Sequence, residues 1–496
     1  MSRELGNLLR SHAQRTPSKP AFRFHGSDRP VEVGYAQLVD DLDHCLSSRQ
    51  YGQPGELVFI ASAIRYESIT AYLACVLGHA IPAFLSPWTP RQDRNIHATE
   101  MQLLLDRFHP NLLVDAEGAR RLHAQRNPAL ADHDGFLQFS SGTTSLKKGV
   151  LITLDKLDQQ LTSLGTALAI THQDKIASWL PLYHDMGLIT SLLLPLYHGC
   201  TVDYLDPVEW SFRPDTLFDV IGQQASTLCW QPDFAFRHLC NFYRRADKPQ
   251  PRNLSSLRAL ISCSEPCRAS TFQEFQQAFR RFSLPDDCLQ TSYAMAETVF
   301  AVSQSQATVS GELAVRDDIL SSGQPVAGCD VRIVNPMEEG VGAIQIRSPF
   351  LFDGYVNQAT ESIASDGWYN TGDLGSLAGG ELFVVGRVDD TLVVNGKKII
   401  AHQIEQHIGA QPGFKPGRIF CTVNADHSAL VVYFEGDNSG TTTYPAVRKW
   451  VSTSSGVSLD RLVELPLGTL VKSSSGKIAR KKTLAKLEAL GSRFAT

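Results

Sequence analysis

Residues 139–149 are Phe139-Ser140-Ser141-Gly142-Thr143-Thr144-Ser145-Leu146-Lys147-Lys148-Gly149, with five hydroxyls, two glycines and two ammonium groups in eleven positions behind the apolar Phe136 and Leu137. That mixture suits a loop that wraps a polyphosphate. Glycine lets the backbone approach an anion closely, consecutive N–H groups form a concave nest, and hydroxyls and lysines add donors. Taken alone, the run also fits a solvated Ser/Thr-rich turn. The rest of the chain decides between the two.

The chain has 496 residues, 43% hydrophobic and 20% charged, the texture of a soluble globular protein with room for roughly two to four domains. Its formal net charge is −5 with mixed signs throughout, and the basic cluster from Lys477 to Lys482 with Arg480 is short. Nothing here suggests a nucleic-acid or anionic-membrane surface, so a small-molecule partner is expected. Met1-Ser2-Arg3-Glu4-Leu5 lacks a signal-peptide core. No window reaches the roughly 18–20 uncharged apolar residues that span a bilayer, which predicts a cytoplasmic chain without a transmembrane segment. Ten cysteines (Cys45, Cys75, Cys200, Cys229, Cys240, Cys263, Cys267, Cys288, Cys329, Cys421) make no CxxC framework and are expected as reduced core residues. Cys263 and Cys267 form a close pair, but two further ligands at metal spacing are missing.

From residue 56 to about 300, short β-branched runs alternate with longer helical patterns. Strands are expected at 57–61, 81–84, 176–179, 227–230 and 257–261, and helices at 68–77, 188–196, 234–242 and 272–279. This is the signature of an α/β architecture. From about 310 to 386 the texture becomes Gly-punctuated strands, a smaller β-rich subdomain. After Gly386 come Arg387-Val388-Asp389-Asp390, a strand at 391–394 and a remainder large enough for a separate lobe. Residues 437–443 read as an exposed loop.

Four more segments look wrong for plain core or plain surface. Trp179-Leu180-Pro181-Leu182-Tyr183-His184-Asp185-Met186-Gly187 sets a His–Asp pair where a strand ends, the place where open α/β sheets bind ligands. A structural histidine is the competing reading. Ser292-Tyr293-Ala294-Met295-Ala296-Glu297 offers a ring for stacking and a carboxylate for Mg²⁺, or simply a helix start with a solvated Glu. Trp368-Tyr369-Asn370-Thr371-Gly372-Asp373 can present an Asp to the vicinal diol of a ribose, or be an ordinary Gly-Asp turn. Leu470 to Ile478 puts Lys477 on a Gly-bearing loop that alone would pass for a basic tail. The 140s run lacks the G-x-x-x-x-G-K-[ST] of a P-loop NTPase.

Together these segments resemble the adenylate-forming superfamily of acyl-CoA synthetases, nonribosomal peptide adenylation domains, beetle luciferases and fatty acyl-AMP ligases. The match keeps family order from LLRSHAQRTPSKPAF at 8–22 to SSSGKIAR at 473–480. WLPLYHDMGLI at 179–189 and CWQPDFAFRHLC at 229–240 look most like fatty acyl-AMP ligases and their close acyl-CoA synthetase relatives. The resemblance implies a large N-terminal lobe, 1–386, of two αβ-layered sheets plus a small β subdomain. It also implies a small mobile α+β C-terminal lobe, 387–496, hinged near Asp389.

The implied chemistry has two steps: a carboxylate attacks the α-phosphate of ATP to give an acyl adenylate and pyrophosphate, and a thiol then displaces AMP. A carboxylate must approach a polyanion, so positioning and cation screening should matter more than a covalent nucleophile. Carried over by position, Ser140, Ser141, Gly142, Thr143, Thr144 and Lys148 would hold the β- and γ-phosphates, and Glu297 would bind Mg²⁺. Tyr293 would stack on adenine beside Ser264 and Glu265, Asp373 would take the ribose hydroxyls, and Arg387 would support the ribose–phosphate region. Lys477 would bridge the substrate carboxylate and the α-phosphate, as a compact point charge can. His184 would gate the acyl tunnel, and Gly396, in a loop from Leu392 to Lys398 that faces the site for thioester formation, would let a pantetheine arm pass.

Four positions leave the usual pattern: Lys147 for Pro, Ala296 for Thr, Val471 for Pro and Ser292 for Gly. The Ala is shared with fatty acyl-AMP ligases. The connection from Gly354-Tyr355 to Thr371-Gly372-Asp373 is too short for the insertion those ligases carry. The expected activity is therefore an acyl-AMP-forming ligase for an aliphatic acid that passes the acyl group to the phosphopantetheine thiol of a carrier protein. A free-standing acyl-CoA synthetase using CoA is the alternative. An amino-acid adenylation enzyme fits less well, since 206–215 supplies no clear acidic partner for an ammonium, and an idle nucleotide-binding scaffold should have lost Lys477, Glu297 or Asp373.

Overall fold

The computed structural model describes the chain apart from residues 1, 27–29, 90–93, 131–132, 141–146, 246–251, 307–314, 317, 337–339, 358–362, 412, 416, 437–443, 473–477 and 491–496. The exposed loop expected at 437–443 lies outside the described residues. At the centre runs a sheet ordered Gln324–Pro325, Ala301–Gln304, Leu289–Ala294, Ala259–Ser262, Leu228–Gln231, Lys175–Ser178, Thr201–Leu205, Pro20–His25 and Val31–Gly34. From Leu289–Ala294 to Pro20–His25 its strands are parallel, and antiparallel strands finish both edges. Parallel strands are covered on both faces and so read as continuous apolar runs, which is how Leu228–Gln231 and Ala259–Ser262 look: every residue is buried.

A second sheet places Ile81–Phe84, Leu57–Ile60 and Leu112–Asp115 in parallel, with Gly118–Arg121 antiparallel at its edge. The expected strands occur within a residue or two of their predicted bounds, and the helices at Tyr66–Leu77, Asp233–Arg245 and Ala269–Phe279 extend the predicted ones slightly. The β-rich stretch is an antiparallel sheet of Asp330–Val334, Gly342–Arg347, Tyr369–Ala378 and Glu381–Arg387. Beyond it come a hairpin, Thr391–Val394 with Lys397–Ile400, and a small sheet of Ile419–Val423, Ala429–Glu435 and Ser458–Leu465 with helices at Ala401–Ala410, Tyr444–Ser455 and Arg480–Leu490. One continuous core runs from Leu5 to Leu382, and a separate one that includes Val394, Ile404, Val432 and Leu459 fills the C-terminal part. All ten cysteines are buried free thiols. Among the described residues no helix is long and apolar enough to cross a membrane.

Two local departures from the expected pattern have physical causes. The strand of the WLPLYHDMG segment stops at Ser178, and Trp179 to Pro181 run on beyond it. The apolar helix that follows is not uniform: Asp185–Leu188 is α, Ile189–Leu193 is a π-turn and Leu194–His198 is α again. Pro195 has no N–H for the carbonyl of Ser191 four residues back, and the Tyr204 hydroxyl donates to that carbonyl instead. At the head of the helix Gly187 lies so close to the preceding turn that an added Cβ would stand 2.1 Å from Pro181 O. Gly187→Ala is expected to destabilise the large lobe by about 1–3 kcal/mol, as overpacking does, read as an earlier urea transition of its tryptophan fluorescence.

Candidate active site

The 140s run is the tip of an antiparallel hairpin. Gly135–Phe139 pairs with Gly149–Thr153, and Ser140 N–H donates to Lys148 O at 3.0 Å. Ser141, Gly142, Thr143 and Thr144 lie outside the described residues. A Walker loop passes from a strand into a helix; this run returns into a strand, so any anion it holds faces a hairpin tip and not a helix N-terminus. Among the described residues Ser140 Oγ, buried, has no hydrogen-bond partner, an orphan that a phosphate oxygen would satisfy. Lys147 is close to Glu100, and burial pushes its ammonium below the ordinary lysine range against the pull of that carboxylate.

A third strand, Gly354–Tyr355, pairs with Val150 and Leu151 and brings Tyr355 beneath Lys148, whose Nζ lies 4.6 Å from the ring centroid. The Tyr355 hydroxyl donates to Glu297 Oε1 at 2.7 Å and lies 3.0 Å from the Tyr369 hydroxyl. Burial first, and then the charge of Glu297, hold the Tyr355 phenol far above its ordinary titration range, so it stays a donor. Glu297 is not at a helix start. It sits in the short 3₁₀ turn Ala296–Thr298, followed by Val299 at φ 64°, ψ −52°. Phe300 N–H closes onto Thr298 O at 2.6 Å, a γ-turn around a β-branched residue and hence a strained one.

Tyr293, 8% exposed, is the last but one residue of the neighbouring strand Leu289–Ala294, and its hydroxyl donates to Asp373 Oδ2 at 2.5 Å. Arg387 Nε lies 3.2 Å from the other Asp373 oxygen, since Asp373 and Arg387 are register partners on adjacent strands. Burial raises the Tyr369 phenol, and the charges of Glu297 and Asp373 raise it further.

His184 caps the helix Asp185–Leu188, its ring 4.7 Å from that of Tyr183, and Gln138 Nε2 of the hairpin strand donates to Tyr183 O at 3.1 Å. That bond ties the histidine segment to the hairpin that carries the 140s run. Ser264 is exposed at φ 71°, and Glu265 Oε2 accepts Phe234 N–H at 3.1 Å, so Glu265 anchors the start of the helix Asp233–Arg245.

In the C-terminal part, Asp389 occupies an exposed 3₁₀ turn, Val388–Asp390, between the β-rich sheet and the hairpin. Gly396 follows Asn395 at the tip of that hairpin, with φ 49° and 78°, the Asn-Gly signature of a type I′ turn. An added Cβ at Gly396 would meet nothing within 4 Å, so in this structure the turn alone accounts for the glycine. Lys477 lies outside the described residues, but the ends of its loop are closed by the bridge Lys472↔Ile478 and by Ala479 N–H to Val471 O at 2.8 Å. The helix that follows is held by Arg480 to Glu405 at 2.6 Å and to Asp390 at 3.5 Å, and Lys482 reaches Glu100, the neighbour of Lys147, at 3.5 Å. The lobe that carries Lys477 thus abuts the hairpin side of the cleft.

Tyr355 and Tyr369 were not singled out as site residues from the sequence. Each stood inside a quoted motif, Gly354-Tyr355 and Trp368-Tyr369, but nothing in the one-dimensional pattern brings their hydroxyls to Glu297.

The family model described as "AMP-binding enzyme" matches residues 9–356. The chain belongs to the AMP-binding enzyme family. Among curated relatives, this AMP-binding enzyme is 28% identical to the medium-chain-fatty-acid–[acyl-carrier-protein] ligase JamA of Moorena producens, over 71% of this chain and 67% of the relative. It is 25% identical to the long-chain-fatty-acid–AMP ligase FadD26 of Mycobacterium marinum, over 96% of both chains. Among solved structures, one from a study of fatty acyl-adenylate ligases of E. coli and L. pneumophila superposes with a TM-score of 0.82 at 24% identity, covering 98% of this chain and 97% of that one. The shared fold is the two-lobed adenylate-forming architecture expected from the motifs.

The donor set suits ATP with Mg²⁺. Among the described residues no group of three or more His, Cys, Asp and Glu could hold a metal, whereas Glu297 offers one oriented carboxylate. Mg²⁺ is commonly held by one or two carboxylates with phosphate oxygens and water, so a single Glu is a fitting complement. Removing the donor that orients Glu297 should loosen the metal: Tyr355→Phe is expected to raise the Mg²⁺ concentration that half-saturates ATP–pyrophosphate exchange by about tenfold. An unchanged Mg²⁺ titration would remove Glu297 from that role.

Proposed function

We propose that this enzyme joins a carboxylic acid to AMP with release of pyrophosphate and then passes the acyl group to the phosphopantetheine thiol of an acyl carrier protein. The observation that carries the proposal is the unbroken line from Ser140 and Lys148 through Tyr355 and Glu297 to Tyr369, with Asp373, Tyr293 and Arg387 beside it. One end is built from hydroxyl and ammonium, the other from a carboxylate with an aromatic ring, and a nucleotide has the complementary polarity: phosphates at one end, ribose and base at the other.

In the first step an oxygen of the acid attacks the α-phosphorus while the bond to the β-phosphate oxygen breaks. Ser140 and Lys148, with Ser141, Gly142, Thr143 and Thr144, would hold the departing pyrophosphate, and Glu297 would hold the Mg²⁺ that screens its oxygens. Asp373, fixed by Tyr293 and Arg387, would take both ribose hydroxyls, with Tyr293, Ser264 and Glu265 near the base. Lys477 would draw the substrate carboxylate and the α-phosphate together, and His184 would stand between nucleotide and acyl group. In the second step the thiol sulfur attacks the acyl carbon, the bond to AMP breaks, and the thiol proton leaves to solvent. Rotation of the lobe 387–496 about Asp389 would exchange the Lys477 loop for the Asn395-Gly396 turn between the steps.

Transfer to CoA is the second reading. It is favoured by one observation: the Tyr355 and Tyr369 hydroxyls meet across a separation of 14 residues, so the segment between them lacks room for a lobe-restraining insertion. Lys477→Ala is expected to lower acid-dependent ATP–pyrophosphate exchange by about 10²–10³-fold, whereas thioester formation from supplied acyl adenylate should fall less than about tenfold. Equal losses in both assays would contradict the division of labour. Mass spectrometry with holo carrier protein and CoA in competition decides the acceptor, and a product found on CoA alone would overturn the carrier-protein assignment.

A further inference from the structure

Gln231 is the last residue of Leu228–Gln231. It is fully buried, and among the described residues neither Nε2 nor Oε1 has a hydrogen-bond partner. Its strand lies between Lys175–Ser178 and Ala259–Ser262 in parallel register. Gln231 is the register partner of Ser262, and continuing the pairing Leu228↔Ile176 by three positions sets it beside Trp179. Aligned residues of parallel strands share a face, so the amide stands between Ser262 and Trp179 at the carboxyl edge of the sheet, where α/β folds bind ligands.

Trp179 is stacked on Trp210 with ring centroids 3.6 Å apart and planes 4° from parallel; both rings are buried and both Nε1 atoms are unpartnered. Phe234 stands edge-on to Trp179 at 6.2 Å, and its N–H is the one held by Glu265. Three donors and one acceptor without partners thus gather next to the Ser262 to Pro266 segment. A leucine or methionine would fill the place of Gln231 without that desolvation cost, and a buried amide satisfied at neither end points to a ligand that satisfies it.

We infer that Gln231, with Trp179 and Trp210, recognises an oxygen-bearing substituent of the acid, a hydroxyl, oxo or amide group, so that the substrate is a functionalised acid and not a plain alkanoic acid. A hydroxyl accepts from Nε2 and donates to Oε1; a carbonyl accepts from Nε2 or from an indole N–H. An alkyl chain would leave all four atoms as they are. This rests on the acyl-adenylate reading, which it deepens by naming the substrate class.

The test is ATP–pyrophosphate exchange with acids of one length, an alkanoic acid and its hydroxy, oxo and amide-bearing counterparts, on wild type and Gln231→Leu. The wild type is expected to favour at least one oxygenated acid by about tenfold or more in kcat/KM, and Gln231→Leu to lower that preference by about tenfold or more. Should the leucine variant not fold, Gln231→Met and Trp210→Phe, which keeps a ring but removes the N–H, carry the same comparison. Equal use of the alkanoic acid by wild type overturns the inference. So does an unchanged ratio in the variants, whether the amide holds ordered water only or acts in thiol transfer alone. Absence of exchange with every acid in wild type would instead sink the acyl-adenylate reading.

Discussion

The interaction on which the cleft depends is a buried phenol set against a carboxylate, at Glu297 and again at Asp373. Tyr355 donates to Glu297 and Tyr293 to Asp373, and in each case burial keeps the phenol protonated. A lysine paired directly with Glu297 would cancel the charge that a divalent cation needs, whereas a phenol orients the carboxylate and leaves its charge intact. Lys148 rests over the Tyr355 ring, its ammonium against the π face. Asp373 differs in that Arg387 adds an ion pair, which fixes the carboxylate as the proposed hold on a ribose diol would require.

Holding these groups at hydrogen-bond distance takes backbone that the rest of the fold must compensate. Val299 is a β-branched residue at positive φ, forced there by the tight turn that returns the chain from Glu297 into Ala301–Gln304. Phe352 N–H to Glu297 O at 2.8 Å pins the turn from the other side, so the hairpin sheet and the central sheet share Glu297 between them. Ser264 is held at positive φ between buried Cys263 and Cys267, whose thiol donates to Ser262 Oγ at 3.0 Å. Strain of this kind persists where packing over-determines a segment, and such places cluster at functional sites.

Much of the layered fold could be read from the sequence because buried parallel strands and amphipathic helices write their period directly into it. The runs at 81–84 and 391–394 matched residue for residue, and the errors elsewhere fell at ends, as at Trp179, where the chain continues extended past its last ladder bond. The π-turn at Ile189–Leu193 was hidden because its cause lies in Pro195 together with Tyr204 on a strand that follows. Likewise Glu297, Tyr293 and Asp373 stood out by composition and order, but the partners that hold them did not. Tyr355 and Tyr369 acquire meaning only when an antiparallel strand and a second sheet bring positions 58 and 14 residues apart into contact. Gln231 was invisible for the opposite reason: one polar residue in a buried run resembles any other until its neighbours are seen to leave it unsatisfied.

The same tyrosine pair bears on the lobe rotation proposed above. Because Tyr355 belongs to the hairpin sheet and Tyr369 to the sheet that continues into Arg387 and the Val388–Asp390 turn, their contact couples the hairpin to the segment that leads into the C-terminal part. On the far side the C-terminal part is held by Arg268 to Gln406, by Lys482 to Glu100 and by Ile400, which packs against Ile319, Leu374 and Val385. Of these the exposed Lys482–Glu100 pair is weak and screened by salt. The rotation proposed above would turn the C-terminal part, which has its own core, about the Val388–Asp390 turn at the cost of those polar contacts and of the Ile400 packing, whereas Asp373 and Arg387, upstream of the turn, stay built into their sheet.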